Sequence, residues 1–438
     1  MRFVSALTVS LLAALGSCRP AAKRQSGKPI FAHYMIGEIY DEHTRQDIVD
    51  AQALGLDAFA LNINSLQSWA TETVDRLFNN ADELGFGLFF SFDIAASGWT
   101  SPNDDFASYL KPFLSRTSYF KYSGKPLVST FGGESISNDQ WSSFKSTIGD
   151  ALLIPGFYEA TPSTTFFDGK SSLDGVFNWN TWPYSDQGKA TVSTTDDETF
   201  ITAANSANKL FIMGMSPIQF KHIDTSQSWY RRGENNLEYR IEQALALQPD
   251  MIELQTWNDA GESHYMGNLW EEPMTNSPIH TYTDGYNHTG YKEILGAFVQ
   301  AWKRGDTTTA NMVPTNGKTI QGTFWHHTLT VDADCSSDSL AKPQDVINNA
   351  EDAVSGVVLV AKGSAGLVAV VNNGDKELGK LTLNEGYNKV KFTGVGAGKV
   401  QLEVWDRSTM IGGGYAPLEV AASGSVCNYN FQVVGFPG

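Results

Sequence analysis

Cysteine is almost absent from this chain, with three in 438 residues. A framework of several disulfides and a cysteine-rich metal site are therefore both excluded. Basic residues are in short supply too: 31 Lys+Arg stand against 48 Asp+Glu, for a net charge of -17. With no basic cluster beyond isolated pairs, this balance repels a phosphate backbone and an anionic lipid surface, so neither nucleic acid nor membrane is an expected partner. The first long apolar run, 3–15, is too short to cross a bilayer, and no apolar tail follows Cys427, so no anchor is expected. No G-x-G-x-x-G opens a helix, no G-x-S-x-G elbow occurs, and neither H-E-x-x-H nor C-x-x-C is present. The scattered histidines lack ligand spacing, so no metal and no cofactor are expected.

Arg2, the apolar run, and then Gly16, Ser17 and Cys18 read as a secretory signal peptide. Lys23-Arg24 is a dibasic pair, so residues 1–24 are predicted to be signal and short propeptide, with a soluble, secreted chain starting near Gln25. That cleavage removes Cys18 and leaves Cys335 and Cys427 alone in an oxidising compartment, where they are expected to join. Closing so long a loop contributes roughly 4–5 kcal/mol at most in the chain-entropy picture. Asn287-His-Thr289 is a glycosylation sequon, consistent with secretion.

Eight short apolar runs alternate with polar, helix-period stretches between residues 28 and 306: 29–37, 56–64, 87–93, 126–132, 152–158, 175–182, 210–217 and 251–259. The helix candidates are 44–54, 68–84, 105–116, 137–149, 196–208, 236–248 and 289–303; only 159–174 looks too short and Ser/Thr-rich for a full helix. This pattern predicts an α/β fold, a (β/α)8 TIM-like barrel over 28–306. Beyond a short linker, runs at 319–332, 356–361, 366–371, 380–383, 388–392, 398–406 and 429–434 predict an all-β, sandwich-like C-terminal domain over 318–438, with a hairpin at Asn373-Gly374. It is expected to dock on the barrel, and a monomer is the default.

In such barrels the chemistry lies at the C-terminal ends of the strands. The polar and aromatic residues there include His33, Glu38, Asn62, Asn64, Asp93, Glu134, Tyr158, Glu159, Trp179, Asn180, Trp182, Gln219, Lys221, His222, Trp257, Asn258 and Asp259, followed by Glu262 and His264. Carboxylates, carboxamides and tryptophans together suit a neutral, hydroxyl-rich ligand, which makes a polysaccharide the expected partner. Glycoside hydrolysis needs two carboxyl groups, one protonated and one ionised. Asp93, Glu134, Glu159, Asp259 and Glu262 are all candidates; Asp259 and Glu262 stand out because the segment 255–267 packs two acids, a histidine and aromatics around an Ala-Gly turn. Other readings stand beside these: His33 as a core histidine, Asp93 as a helix cap, the Trp179–Trp182 cluster as packing, and Lys221-His222 and Arg231-Arg232 as surface or salt-bridge residues.

Three segments carry a resemblance: Phe31-Ala-His-Tyr-Met-Ile-Gly37, Leu56-Asp-Ala-Phe-Ala-Leu-Asn-Ile-Asn64 and above all Gln255-Thr-Trp-Asn-Asp-Ala-Gly-Glu-Ser-His-Tyr265. The chain resembles the fungal α-1,3-glucanases, or mutanases, of glycoside hydrolase family 71. The resemblance implies endo-hydrolysis of α-1,3-glucan with inversion at the anomeric carbon, and it carries the catalytic pair onto Asp259 and Glu262. An inverting pair is expected to stand roughly 6.5–9.5 Å apart. Glu262 is the expected acid and Asp259 the base, since a free Glu holds its proton slightly more tightly than Asp, at about 4.3 against 3.9. Two rival readings share much of this evidence: a non-catalytic, wall-associated carbohydrate-binding protein, and a barrel glycosidase for another linkage.

Overall fold

Short β-branched and aromatic runs buried on both faces, separated by helices, leave one way to satisfy the backbone: a parallel sheet covered by its own crossovers. The computed structural model, which describes residues 27–97 and 104–438, has this arrangement. The expected signal and propeptide, 1–24, lie outside the described residues. The parallel strands are β1 (Ile30–Met35), β2 (Ala58–Ile63), β3 (Gly87–Asp93), β4 (Lys125–Phe131), β5 (Leu152–Leu153), β6 (Gly175–Asn178), β7 (Leu210–Met215) and β8 (Met251–Leu254).

Pairing runs in chain order from β1 through β5, from β6 through β8, and from β8 back to β1. Bridges from Gly156 to both Phe131 and Phe177 continue it between β5 and β6. A β-carbon on Gly156 would stand 2.8 Å from the Thr130 carbonyl and 2.9 Å from the Phe177 ring, so only glycine allows this approach. The result is an α/β fold around a curled parallel sheet.

The helices follow the sequence signals closely. Ser68–Leu84 has the expected bounds, and Asn138–Ile148 begins with a capping box in which Ser137 and Gln140 satisfy each other's backbone N–H groups. Residues 159–174 form turns only, as their composition implied.

After the helix Lys292–Arg304 the chain builds two four-stranded antiparallel sheets. One orders Gly386–Thr393, Ala353–Val360, Ile320–His327 and Phe431–Phe436; the other orders Lys376–Thr382, Val368–Asn373, Val400–Asp406 and Thr409–Tyr415. The hairpin at Asn373-Gly374 forms, with Asn373 opposite Lys376. The run 319–332, read as one strand, is two: it breaks at Thr328, and Leu329–Asp334 leaves the sheet to pair with Ala421–Ser423. The glycine-rich strand Thr409–Tyr415 gave no apolar alternation and escaped the sequence reading.

The two parts are joined by buried charge. Glu234 accepts from His327 at 3.0 Å and from the Glu351 N–H at 2.8 Å, while Arg232 reaches Glu351 at 2.7 Å and the Asn349 carbonyl at 2.6 Å. Burial opposes the charge on Glu234, but His327, Arg232 and the Tyr230 hydroxyl hold its carboxyl down at about 2. The expected bridge between Cys335 and Cys427 is present, closing 92 residues at a Cα–Cα distance of 5.5 Å.

Two outcomes follow. Replacing both bridged cysteines by serine lowers unfolding stability by about 2–4 kcal/mol in a denaturant titration. Glu234 binds its proton less tightly folded than unfolded, so its contribution is complete above its unfolded pKa and is lost as the pH falls from about 4.5 through about 2. Glu234→Gln therefore costs about 3 kcal/mol at pH 7 and progressively less towards pH 2 in the same measurement.

Candidate active site

Where β8 ends, the chain is tied to β1 before it turns. The Trp257 N–H donates to the His33 carbonyl at 2.7 Å, and the Asn258 carboxamide makes both bonds to the Met35 backbone, at 2.8 and 3.1 Å. The segment then folds back on itself, with the Met266 N–H on the Thr256 carbonyl at 3.0 Å and the Gly267 N–H on that of Trp257 at 2.7 Å. A β-carbon on Gly267 would stand 2.3 Å from the Trp257 indole, so this return needs glycine. From outside, the Phe220 N–H donates to the Glu262 carbonyl at 2.9 Å and the Tyr282 hydroxyl to that of Gly261 at 2.8 Å.

This loop places two carboxylates around one buried imidazole. His264 Nε2 stands 3.0 Å from Asp259 Oδ2 and 3.6 Å from Glu262 Oε2. Asp259 Oδ1 also accepts the Glu262 N–H at 3.0 Å. The Gln219 carboxamide donates to Glu262 Oε2, and Lys221 Nζ stands 3.7 Å from Oε1. The Asp259 side chain is 12% exposed and that of Glu262 24%, so both reach solvent from a mostly buried base.

Their titrations move in opposite directions. Burial opposes ionisation of Asp259, but the hydrogen bond and charge of His264, the charge of Lys221 and the Glu262 N–H outweigh it and hold the carboxyl below its ordinary value. Burial and the adjacent Asp259 charge push Glu262 above its ordinary value, against the pulls of His264, Lys221 and Gln219. One group is thus set to be ionised where the other keeps its proton.

A cleft of about 460 Å3 opens beside Asp259, with Glu38, Trp69, Trp270, Glu272 and Met274 in its walls. On the side of Glu262 lies the hairpin of Gln219–His222 and Ser228–Arg231, where Lys221 sits 5.1 Å from the centre of the Trp229 ring and Arg231 5.1 Å from that of Trp182. Trp182 lies 5.9 Å from His264, and Trp179 packs edge-on between His33, at 4.9 Å, and His264, at 6.1 Å.

Other residues picked from the sequence fall at graded distances from this centre. Asn180 is near, bonded to Arg231 at 3.3 Å and to the Tyr158 carbonyl at 2.9 Å. Tyr158 stacks on Phe131 at 4.7 Å, and Glu134 accepts the Glu159 N–H at 2.9 Å, forming a half-buried shoulder. His33 is sealed inside the sheet and bonded to the equally buried Glu253 at 2.7 Å. Asp93 caps the turn after β3 through the Ala96 N–H at 2.7 Å, with Asn62 hydrogen-bonded to it. Trp257 is 1% exposed and packs on Phe59, so it fills core and offers no face to a ligand. Asn287 is exposed.

Gln219, Lys221 and Arg231 belong with the carboxylates, although Lys221 and Arg231 read as surface charge in the sequence. The available signal was the alternation Gln219-Phe-Lys221, which sends two polar side chains to one face of a strand. His222 and Arg232, by contrast, pair with Asp338 and Glu351 of the C-terminal part. Asp259, Glu262 and His264 also offer three possible ligand atoms within 4.8 Å of one another. In this structure the imidazole nitrogen of that group is bonded to Asp259, and Lys221 supplies the local positive charge.

The profile of glycosyl hydrolase family 71 matches residues 26–438. A glucan endo-1,3-alpha-glucosidase of Schizosaccharomyces pombe is 31% identical over 330 residues, covering 72% of this chain and 74% of the relative. The ascus wall endo-1,3-alpha-glucanase of the same yeast is 29% identical, covering 92% and 96%, and a mutanase of Penicillium rubens is 27% identical, covering 94% and 89%. The match spans both the curled sheet with its two carboxylates and the antiparallel sheets behind it, and the chain belongs to glycosyl hydrolase family 71.

Proposed function

We propose that the chain is a secreted endo-hydrolase of α-1,3-glucan, working without metal or cofactor, with Glu262 as general acid and Asp259 as general base. The observation that carries the roles is the opposite displacement of the two carboxyl groups around His264. The family and the named activities of its relatives support the substrate. In this reading residues 28–306 are a catalytic (β/α)8 barrel, 318–438 a β-sandwich accessory domain, 1–24 a removed leader, Asn287 a glycan site and the protein a monomer. The parallel pairings and the second hydrophobic core support the division; no described helix is long and apolar enough to cross a membrane.

Inversion asks for a water between the base and the anomeric carbon, with carboxyl groups roughly 6.5–9.5 Å apart. Here oxygens of Asp259 and Glu262 fall within 4.8 Å of each other, because the residues are three apart and share one imidazole. This spacing is shorter than that expected of an inverting pair, and inversion therefore requires Glu262, the more exposed of the two, to draw away from Asp259, which His264 and the Glu262 N–H hold in place.

Glu262→Gln and Asp259→Asn each lower the hydrolysis rate by about 10²–10⁴-fold with the fold intact by circular dichroism; full activity in either variant overturns the assignment. The pH-rate profile is a bell whose acid limb belongs to Asp259 and whose alkaline limb belongs to Glu262. Lys221 lowers both titrations, so Lys221→Met moves both limbs to higher pH. With insoluble α-1,3-glucan, NMR of the first products gives the β-anomer, and β-1,3-glucan and starch stay intact; an initial α-anomer overturns inversion.

A further inference from the structure

The outer antiparallel sheet, built from Lys376–Thr382, Val368–Asn373, Val400–Asp406 and Thr409–Tyr415, has one face in the second core and one in solvent. From Val400 to Trp405 the alternation is strict: Val400, Leu402 and Val404 are buried, while Gln401, Glu403 and Trp405 face outward. Register places Met410 opposite Trp405 and Tyr415 opposite Gln401. On the other side, Val368 lies opposite Trp405 and Asn372 opposite Gln401. Trp405, Met410 and Tyr415 therefore share the outward face, with Met410 44% and Tyr415 54% exposed. Trp405 joins neither hydrophobic core, although it is the kind of side chain a core would take.

Glu403 organises this face. Its Oε2 accepts the Trp405 Nε1–H at 3.1 Å and its Oε1 accepts the Tyr415 hydroxyl at 2.9 Å. One carboxylate thus fixes the polar ends of two aromatic side chains and leaves ring surface to solvent. Rings of this kind cover the C–H faces of sugars, and Glu403, Gln401 and Asn372 offer hydrogen-bond partners to hydroxyl groups between them. A self-interface fits poorly: three apolar side chains interrupted by a carboxylate and carboxamides fall short of the roughly 1,000 Å2 a specific protein interface needs.

We propose that this face is a second polysaccharide-binding surface, on a sheet other than the one that carries the carboxylate pair, which holds the insoluble α-1,3-glucan on which the barrel acts. The choice of polymer rests on the function proposed above; the ring-and-carboxylate chemistry does not. Binding at both places on one chain raises the effective concentration of polymer at the cleft, a gain that a short soluble substrate does not receive.

The test uses the full chain and its Trp405→Ala and Tyr415→Ala variants, with Trp405→Phe as the conservative control. Depletion from suspension by insoluble α-1,3-glucan is expected to weaken by about 3- to 10-fold per ring removed, with Trp405→Phe recovering most of the binding. Hydrolysis of the insoluble polymer at limiting concentration falls in parallel, whereas kcat/KM on soluble α-1,3-linked oligosaccharides is unchanged. Equal depletion by parent and variants overturns the proposal, as does a dimer lost on Trp405→Ala in sedimentation. A parent that binds the polymer through Trp405 but cleaves nothing keeps this surface and overturns the catalytic reading instead.

Discussion

The hydrogen bond between Asp259 and the buried His264 is the constraint on which the site depends. It joins two residues five apart, so it can form only if the chain between them turns tightly, and that turn carries Glu262 to the same imidazole. The turn in turn requires fixed ends. Asn258 supplies one by bonding the Met35 backbone, and the return of Gly267 along Trp257 supplies the other. Sheet, loop and carboxylates are one hydrogen-bonded unit, and the opposite titrations of the two acids are its electrostatic consequence.

This dependence explains why residues that never meet a ligand read as part of the site. Trp257 sits in the most ligand-like stretch of the sequence, yet its ring is the surface against which the loop closes. His33 and Glu253 form a sealed pair inside the sheet beneath the Trp179 ring that borders His264. A local cluster of polar and aromatic residues marks where a site is; which members face outward is decided by strand pleat and loop path, and those depend on partners distant in the chain.

The same distinction separates what was legible in the sequence from what was not. The strands Gly87–Asp93 and Leu210–Met215 and the helix Ser68–Leu84 were readable because apolar period and stop signals are local. The pairing of Cys335 with Cys427 followed from counting. Arg231 was not readable as a site residue, and Lys221 only as a polar strand-end residue that read equally as surface charge, since their meaning comes from a two-stranded hairpin that folds over a loop some 30–40 residues later. The break at Thr328 is marked in the sequence only by a change of apolar phase, from Ile320 and Phe324 to Leu329, Val331 and Ala333, with no turn residue between the two strands.

The Arg232–Glu234 cluster gives the architecture a further property. Its charges come from the curled-sheet part, and their partners His327, Asn349 and Glu351 come from the antiparallel part. Separation would take His327 from Glu234 and Glu351 from Arg232, leaving those two buried charges only each other. The C-terminal strands are therefore not cargo that recombination could exchange for an unrelated binding module. Inheritance of the curled-sheet part implies co-inheritance of its partner, so variation between relatives collects on outward faces and loop tips, with the seam changing only through compensated pairs.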